Sequence, residues 1–258
     1  MNPATLVYLS QDQAFTAYVR ELPDYHNIEL CQSQIIADVL IDENVALVFV
    51  DGAHNLWRPH LLAIKNNAAT RRVPVCFASD DGAQRAEAVT CGADLALSWS
   101  ELRRRIKGII SDIARIPNPA ILKQLACECR QPLPDLALQG LRAFNRGEFY
   151  QQHDLFEEQW VKTAGPVRDL YRGILQVGVA YYQIEGGNYR GALKMLQRSV
   201  QWLSLLPDHC QGIDIERLRR DSNAVRAELQ RLGPDRLDDL DRRLLKKLQW
   251  KRNQSDKT

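Results

Sequence analysis

The sequence predicts an α/β plus all-α chain, with a (βα)5 parallel sheet in the first half and a helical bundle in the second. Three observations lead there. Five short, near-continuous apolar runs recur between Thr5 and Trp99 with helix-compatible segments between them. Such runs are the mark of parallel strands covered on both faces. From Asp135 onward no strand pattern survives, and apolar residues recur at helical spacing. Prolines at 117, 119, 132 and 134 separate the two regimes.

The strand candidates are residues 5–10, 27–33, 46–52, 73–79 and 93–99, and the helical segments 12–22, 34–43, 54–67, 82–91 and 100–116. Strictly alternating strand and helix order gives an open, doubly wound sheet whose functional edge lies beyond the strand C-termini. The organisation expected is an α/β domain over 1–116, a linker over 117–134, a helical domain over 135–207 and a helical extension over 208–258.

Composition narrows the function classes. A chain of 258 residues with 45% hydrophobic and 26% charged residues is long enough for two cored domains. A net charge of +2 gives no global field that would favour nucleic acid or an acidic membrane. The N-terminus lacks a basic segment followed by a long apolar run, and the best apolar stretch, around Ile174 to Ile184, contains Gln176 and is too short to span a bilayer. A cytoplasmic protein is expected. The six cysteines, at 31, 76, 91, 127, 129 and 210, are read as reduced thiols. Cys127, Cys129, His209 and Cys210 do not follow a common zinc spacing.

Within the first half, Asp51 ends the third strand candidate, Ser79 ends the fourth, and CGADLALSW spans 91–99. On these residues the segment resembles a response-regulator receiver domain, a flavodoxin-like fold. The resemblance implies that Asp51 sits at the phosphoacceptor position and Ser79 at the phosphoryl-contacting position. The family's acidic pair after the first strand is here Ser10 and Gln11, with Asp12 displaced by one, and its lysine position is Trp99. Phosphoryl transfer to a carboxylate needs a cation to neutralise developing charge. A degenerate receiver is therefore expected, with Asp51 read alternatively as a strand-end acid capping the next turn.

In the second half the stretch from Phe144 to Trp160, FNRGEFYQQHDLFEEQW, is the most informative in the chain. At helical spacing His153, Glu157 and Trp160 fall within an arc of about 60°, shared by Phe149 and Phe156. That stripe is expected to face a core, with Gln151, Asp154, Glu158 and Lys162 outward. An unpartnered imidazole and carboxylate there would cost several kcal/mol, so partners are expected. Asp135 is expected to cap the preceding helix and Gly147 to end it. Val167 to Tyr181 reads as a central helix, and Asn188 as the cap of a fourth helix that Pro207 closes.

The elements Phe144, Asn145, Gly147 and Phe149, then His153, Glu157 and Trp160, then Gly173 and Gln176, then Gly187, Asn188, Gly191 and Ala192 occur in that order. Through them the region resembles the family called domain of unknown function 309. The resemblance implies a compact helical unit with an inward-facing His/Glu pair and no assigned activity.

Three readings of that pair stand. His153 and Glu157 bond each other, with Arg168 or Arg172 balancing the carboxylate, and fix helix register. Alternatively they line a small-molecule or peptide site with Gln176 and Tyr181. A metal site is the third, although one His and one Glu supply only two ligands. His26, His54, His60 and His209 are expected at the surface.

Beyond it, residues 213–232 and 235–252 read as two further helices, the last carrying Leu237, Leu240, Leu244 and Leu248 on one face. Its aspartates precede a basic cluster that is too poor in aromatics for nucleic-acid binding.

The function expected is a non-enzymatic signalling or scaffold protein, a degenerate receiver joined to a helical effector. A protein partner is expected through the receiver's fourth and fifth helices, with homodimerisation through the same face. The alternatives are a small-molecule or metal-dependent enzyme using His153 and Glu157, and a response regulator phosphorylated on Asp51. No nucleophile, phosphate loop or cofactor motif stands beside the pair, so no catalytic residue, cofactor or metal is assigned.

Overall fold

The computed structural model describes residues 4–10, 12–20, 22, 25–29, 39–41, 45–67, 69–115 and 118–251. The chain divides into two compact units, Met1–Ile116 and Pro117–Thr258.

The first unit is a parallel sheet of five strands, β1 (Ala4–Leu9), β2 (Tyr25–Glu29), β3 (Val45–Asp51), β4 (Val75–Ala78) and β5 (Leu95–Leu97), ordered β2-β1-β3-β4-β5. The order reverses between β1 and β3, which places the crevice of this α/β fold beyond Leu9 and Asp51. Alternation along the strands divides the core. Leu6, Tyr8 and Phe49 face α1 (Gln13–Arg20) and α4 (Trp99–Ile113), where Phe15, Leu102 and Ile106 complete one layer. Val7, Leu9, Val48, Val50 and Phe77 face the other way and pack with Leu61 and Ile64 of α2 (Trp57–Asn66) and Ala88 of α3 (Gly82–Thr90). Burial on both faces explains the unbroken apolar runs.

Helix starts follow local chemistry. The Asp81 carboxylate accepts from Ala83 N–H at 2.8 Å. Ser98 and Glu101 form a capping box at the start of α4. The segment read as a helix over 34–43 lies outside the described residues except for 39–41, which are helical. Residues 30–33 of the second strand candidate, Cys31 included, lie outside them as well.

The second unit contains α5 (Pro119–Glu128), α6 (Asp135–Arg146), α7 (Phe149–Lys162), α8 (Arg168–Glu185), α9 (Tyr189–Leu203) and α10 (Ile215–Leu232). A short antiparallel hairpin, β6 (His209–Cys210) and β7 (Ile213–Asp214), precedes α10. Helix α8 is central, burying Leu170, Tyr171, Ile174, Val177, Ala180, Tyr181 and Ile184, and it packs against α7 and α9. Gly147 ends α6 in a left-handed conformation at φ 80°. Asn188 caps α9, its Oδ1 accepting from Gly191 N–H at 2.9 Å. Asp135 is the first residue of α6 and not its cap, which is Pro134. Among the described residues no helix is long and apolar enough to cross a membrane.

Several expectations are corrected. The segment read as a linker contributes to the helical core through Leu125, Cys129 and Leu133. Glu128 accepts Val167 N–H at 2.9 Å and so tethers the start of α8. Cys129 and Cys210 are joined in a disulfide across 81 residues, where reduced thiols were expected. Cys76 is a buried thiol whose pKa is pushed up to about 12 by that burial. His54 is buried, its Nδ1 accepting from Leu56 N–H at 3.2 Å.

No α-helix runs over residues 235–251. Two 3₁₀ turns, Pro234–Asp239 and Arg242–Leu244, lead into an extended segment. The reason is competition for main-chain groups: Asp241 Oδ1 accepts from Arg243 N–H at 2.9 Å, and Asn145 engages Leu248. Leu237, Leu240 and Leu248 are buried all the same.

Candidate functional site

At the C-terminal edge of the parallel sheet, Asp51 is only 2% exposed. Its Oδ2 accepts the Ser10 hydroxyl at 2.9 Å and its Oδ1 accepts Ala53 N–H at 2.8 Å. Asp12 is turned to other work. Its Oδ1 accepts from Phe15 N–H at 3.1 Å, and its Oδ2 lies 2.6 Å from Arg103 Nη2. Ser79 donates to Gln84 Oε1 at 2.7 Å and accepts from Asp81 N–H at 3.1 Å. Trp99 packs edge-on to Phe15 at 5.0 Å, with the Arg103 guanidinium 5.8 Å from its ring.

The structure thus brings Asp51 and Ser10 into contact and gives Asp12 a guanidinium partner. Magnesium favours octahedral oxygen coordination with one or two carboxylates plus phosphate and water. Here the second carboxylate is neutralised by an arginine, and the indole of Trp99 offers no cation to a phosphoryl group. The arrangement suits a closed polar cluster that ties the strand ends together.

In the helical unit the expected inward face of α7 is corrected. The side chain of His153 is 36% exposed and that of Glu157 is 52% exposed. The buried stripe is Phe149, Gln152 and Phe156. The helix is therefore rotated so that Gln152, not His153, points to the core. Phe149 and Phe156 are compatible with either rotation to within about 60°, and the close approach of α8 decides it. Gly178 of α8 receives the Gln152 amide, and a Cβ there would overlap it. Gln152 is 0% exposed, and neither its Oε1 nor its Nε2 has a hydrogen-bond partner among the described residues.

His153 Nδ1 lies 3.1 Å from Asp154 Oδ1 and 3.9 Å from Glu157 Oε2. One ligand atom from each of these three residues falls within 4.8 Å of the others. This is a small, outward-facing set of hard and borderline donors. Trp160 packs at the edge of the core with its Nε1 buried and without a partner among the described residues. Arg168 lies 5.1 Å from the centre of its ring. Arg172 is 4.8 Å from the Trp160 ring and 3.7 Å from the Trp202 ring. Both arginines named as candidate partners of Glu157 thus lie over indole rings.

Gln176 and Tyr181 are buried away from that surface. Burial holds the Tyr181 phenol well above its ordinary range. An open cleft of about 580 Å³ is lined by Asn145, Gly147, Glu148, Tyr181, Glu185 and Lys246 among others, but by neither His153 nor Glu157. Sequence reasoning missed Gln152 and gave Asn145 no role. The glycine at 178 was the signal for the first, since it marks a close approach, and the lead-in motif was the signal for the second.

Residues 137–195 match the family model of Domain of unknown function (DUF309). The matched segment runs from α6 into α9 and contains His153, Glu157, Trp160 and Gln176. An uncharacterized protein of Aquifex aeolicus (strain VF5) is 24% identical over 86 residues, 33% of this chain and 26% of that protein. The chain thus spans about a quarter of that relative's length. Among solved structures, the Mn(2+)-bound form of response regulator Rcp1 matches with 16% identity and a TM-score of 0.35, covering 45% of this chain and 99% of that one.

Proposed function

We propose that this chain is a non-enzymatic regulatory or scaffold protein in which a receiver-like unit works without phosphoryl chemistry and a DUF309 segment serves as effector. One observation carries the reading. Both carboxylate oxygens of Asp51 already accept protein donors, and the nearby Asp12 is bound to Arg103. A receiver-like unit with its acceptor closed off retains its surfaces, so its use is recognition. The face formed by α3 and α4 is the proposed contact for a protein partner or a second copy; in α3, Val89 is an exposed apolar side chain, 56% accessible. Incubation with magnesium and a small phosphodonor, followed by intact mass, tests the reading. No mass gain is expected. A stoichiometric phosphoryl adduct that disappears in Asp51→Asn would overturn it and leave a response regulator in its place.

The competing reading is a metal-dependent activity at His153, and the proximity of its donors to those of Asp154 and Glu157 favours it. Against it, both carboxylates are more than half exposed, and giving up their hydration works against ligation. Titration with zinc or manganese distinguishes the two. Stoichiometric binding lost in Glu157→Gln supports the metal reading, and heat indistinguishable from that variant supports the scaffold.

A further inference from the structure

The segment from Leu244 to Lys251 is held chiefly by its main chain. Leu248 N–H donates to Asn145 Oδ1 at 2.7 Å, and Asn145 Nδ2 donates to Leu248 O at 3.0 Å. Beyond it, Asp214 N–H donates to Gln249 O at 3.0 Å and Lys251 N–H to Gly212 O at 2.9 Å. Trp250 bridges Ile213 in antiparallel fashion, and its Nε1 donates to Gln211 O at 3.2 Å. Only Leu248 is fully buried, while Leu244, Leu245 and Trp250 pack partly against the core. Lys246, Lys247 and Gln249 are exposed.

This is how an extended peptide is bound, by strand addition along one stretch and an apolar pocket for one side chain. An asparagine that meets both polar groups of one residue reads the backbone whatever the side chain. The clamp and its occupant also belong to different parts of the chain. Asn145 lies inside the DUF309 segment, and residues 244–251 lie outside it. The adjoining cleft is lined by Glu185, Arg146 and Glu148 next to Lys246 and Lys247; Glu148 is paired with Arg146 at 2.6 Å, so Glu185 is the acid that suits a basic strand.

We propose that this groove is a peptide-binding site that the chain's own tail fills in cis. Its partner in trans is a segment of another protein with the same chemistry: extended, lysines before a leucine, and an aromatic two residues after it. The tail then acts as a built-in competitor, lowering apparent affinity in proportion to the fraction of closed grooves. The inference is independent of whether Asp51 is ever phosphorylated.

A labelled peptide of sequence DRRLLKKLQWK, residues 241–251, is the probe. Full-length wild-type chain is expected to bind it weakly, and Leu248→Asp, which weakens the cis strap, about tenfold or more tightly. Asn145→Ala in the Leu248→Asp background is expected to abolish binding. Trp250→Ala loosens the strap without touching the buried leucine and serves if Leu248→Asp fails to fold. A released variant that keeps its helical circular dichroism yet ignores the peptide would overturn the proposal, as would binding indifferent to Asn145→Ala. Concentration-dependent dimers of wild type that the peptide dissociates would replace the outside partner by a second copy and overturn that choice.

Discussion

Gln152 and Gly178 meet where α7 crosses α8, and the amide of Gln152 fills the volume that a Cβ at position 178 would need. In an isolated helix, alanine in place of glycine would favour folding by about 1 kcal/mol. Here the overlap lies with a side chain that is fully buried and has no solvent to swing into. Overpacking of this kind costs about 1–3 kcal/mol, so Gly178→Ala is expected to destabilise the helical unit. Gln152→Ala combined with it should recover part of the loss, which urea denaturation of the four forms measures. A stabilising Gly178→Ala would show that the two helices do not approach as described.

Gln152 itself carries two amide atoms without hydrogen-bond partners among the described residues. A buried group in that state costs about 1–3 kcal/mol, and methionine keeps its shape without the penalty. Gln152→Met is expected to raise the denaturation midpoint. By contrast His153→Ala and Glu157→Ala, at a surface, should change stability by less than about 0.5 kcal/mol. A loss of about 3 kcal/mol in either would restore the buried pair that the sequence suggested.

The misplacement of that pair shows where local pattern stops being informative. The strands were legible because β1 and β3 are apolar on both faces, and the Asn188 cap because its chemistry is local. The rotation of α7 was not. Phe149 and Phe156 define a direction, yet whether His153 or Gln152 completes the stripe depends on a glycine 26 residues after Gln152 in another helix. The tail failed for the same reason. Its leucines have helical spacing, but Asn145, 103 residues away, takes the polar groups of Leu248 that a helix would have used. At the sheet edge the departures at Ser10 and Trp99 were plain, while the Arg103–Asp12 pair, 91 residues apart, was not.

The disulfide between Cys129 and Cys210 closes a loop of 81 residues around most of the helical unit. In the chain-entropy account a loop of that size contributes about 4 kcal/mol by restricting the unfolded chain. Cys210→Ser, or a reductant, is therefore expected to lower the unfolding midpoint of the helical unit and leave that of the α/β unit unchanged. Thermal scans with and without dithiothreitol, compared with the variant, check this. Equal midpoints in all three would mean that the bridge contributes nothing to stability.

His60 supplies a pH dependence to the first unit. Burial, reinforced by the neighbouring His54, holds its imidazole below the ordinary value of 6.5. The unfolded chain therefore takes up this proton at a higher pH than the folded chain does. Between the two values the unfolded state binds more protons, so stability rises with pH across that window. The contribution is fully present above 6.5 and is lost as pH falls from there through the lowered folded value. The ring of His54 lies 5.6 Å from that of His60, close enough for it to oppose a charge on His60. Urea midpoints of the α/β unit's transition at about pH 5 and about pH 7.5 should differ in wild type and converge in His60→Asn. An undiminished difference in the variant would assign the acid sensitivity to other groups.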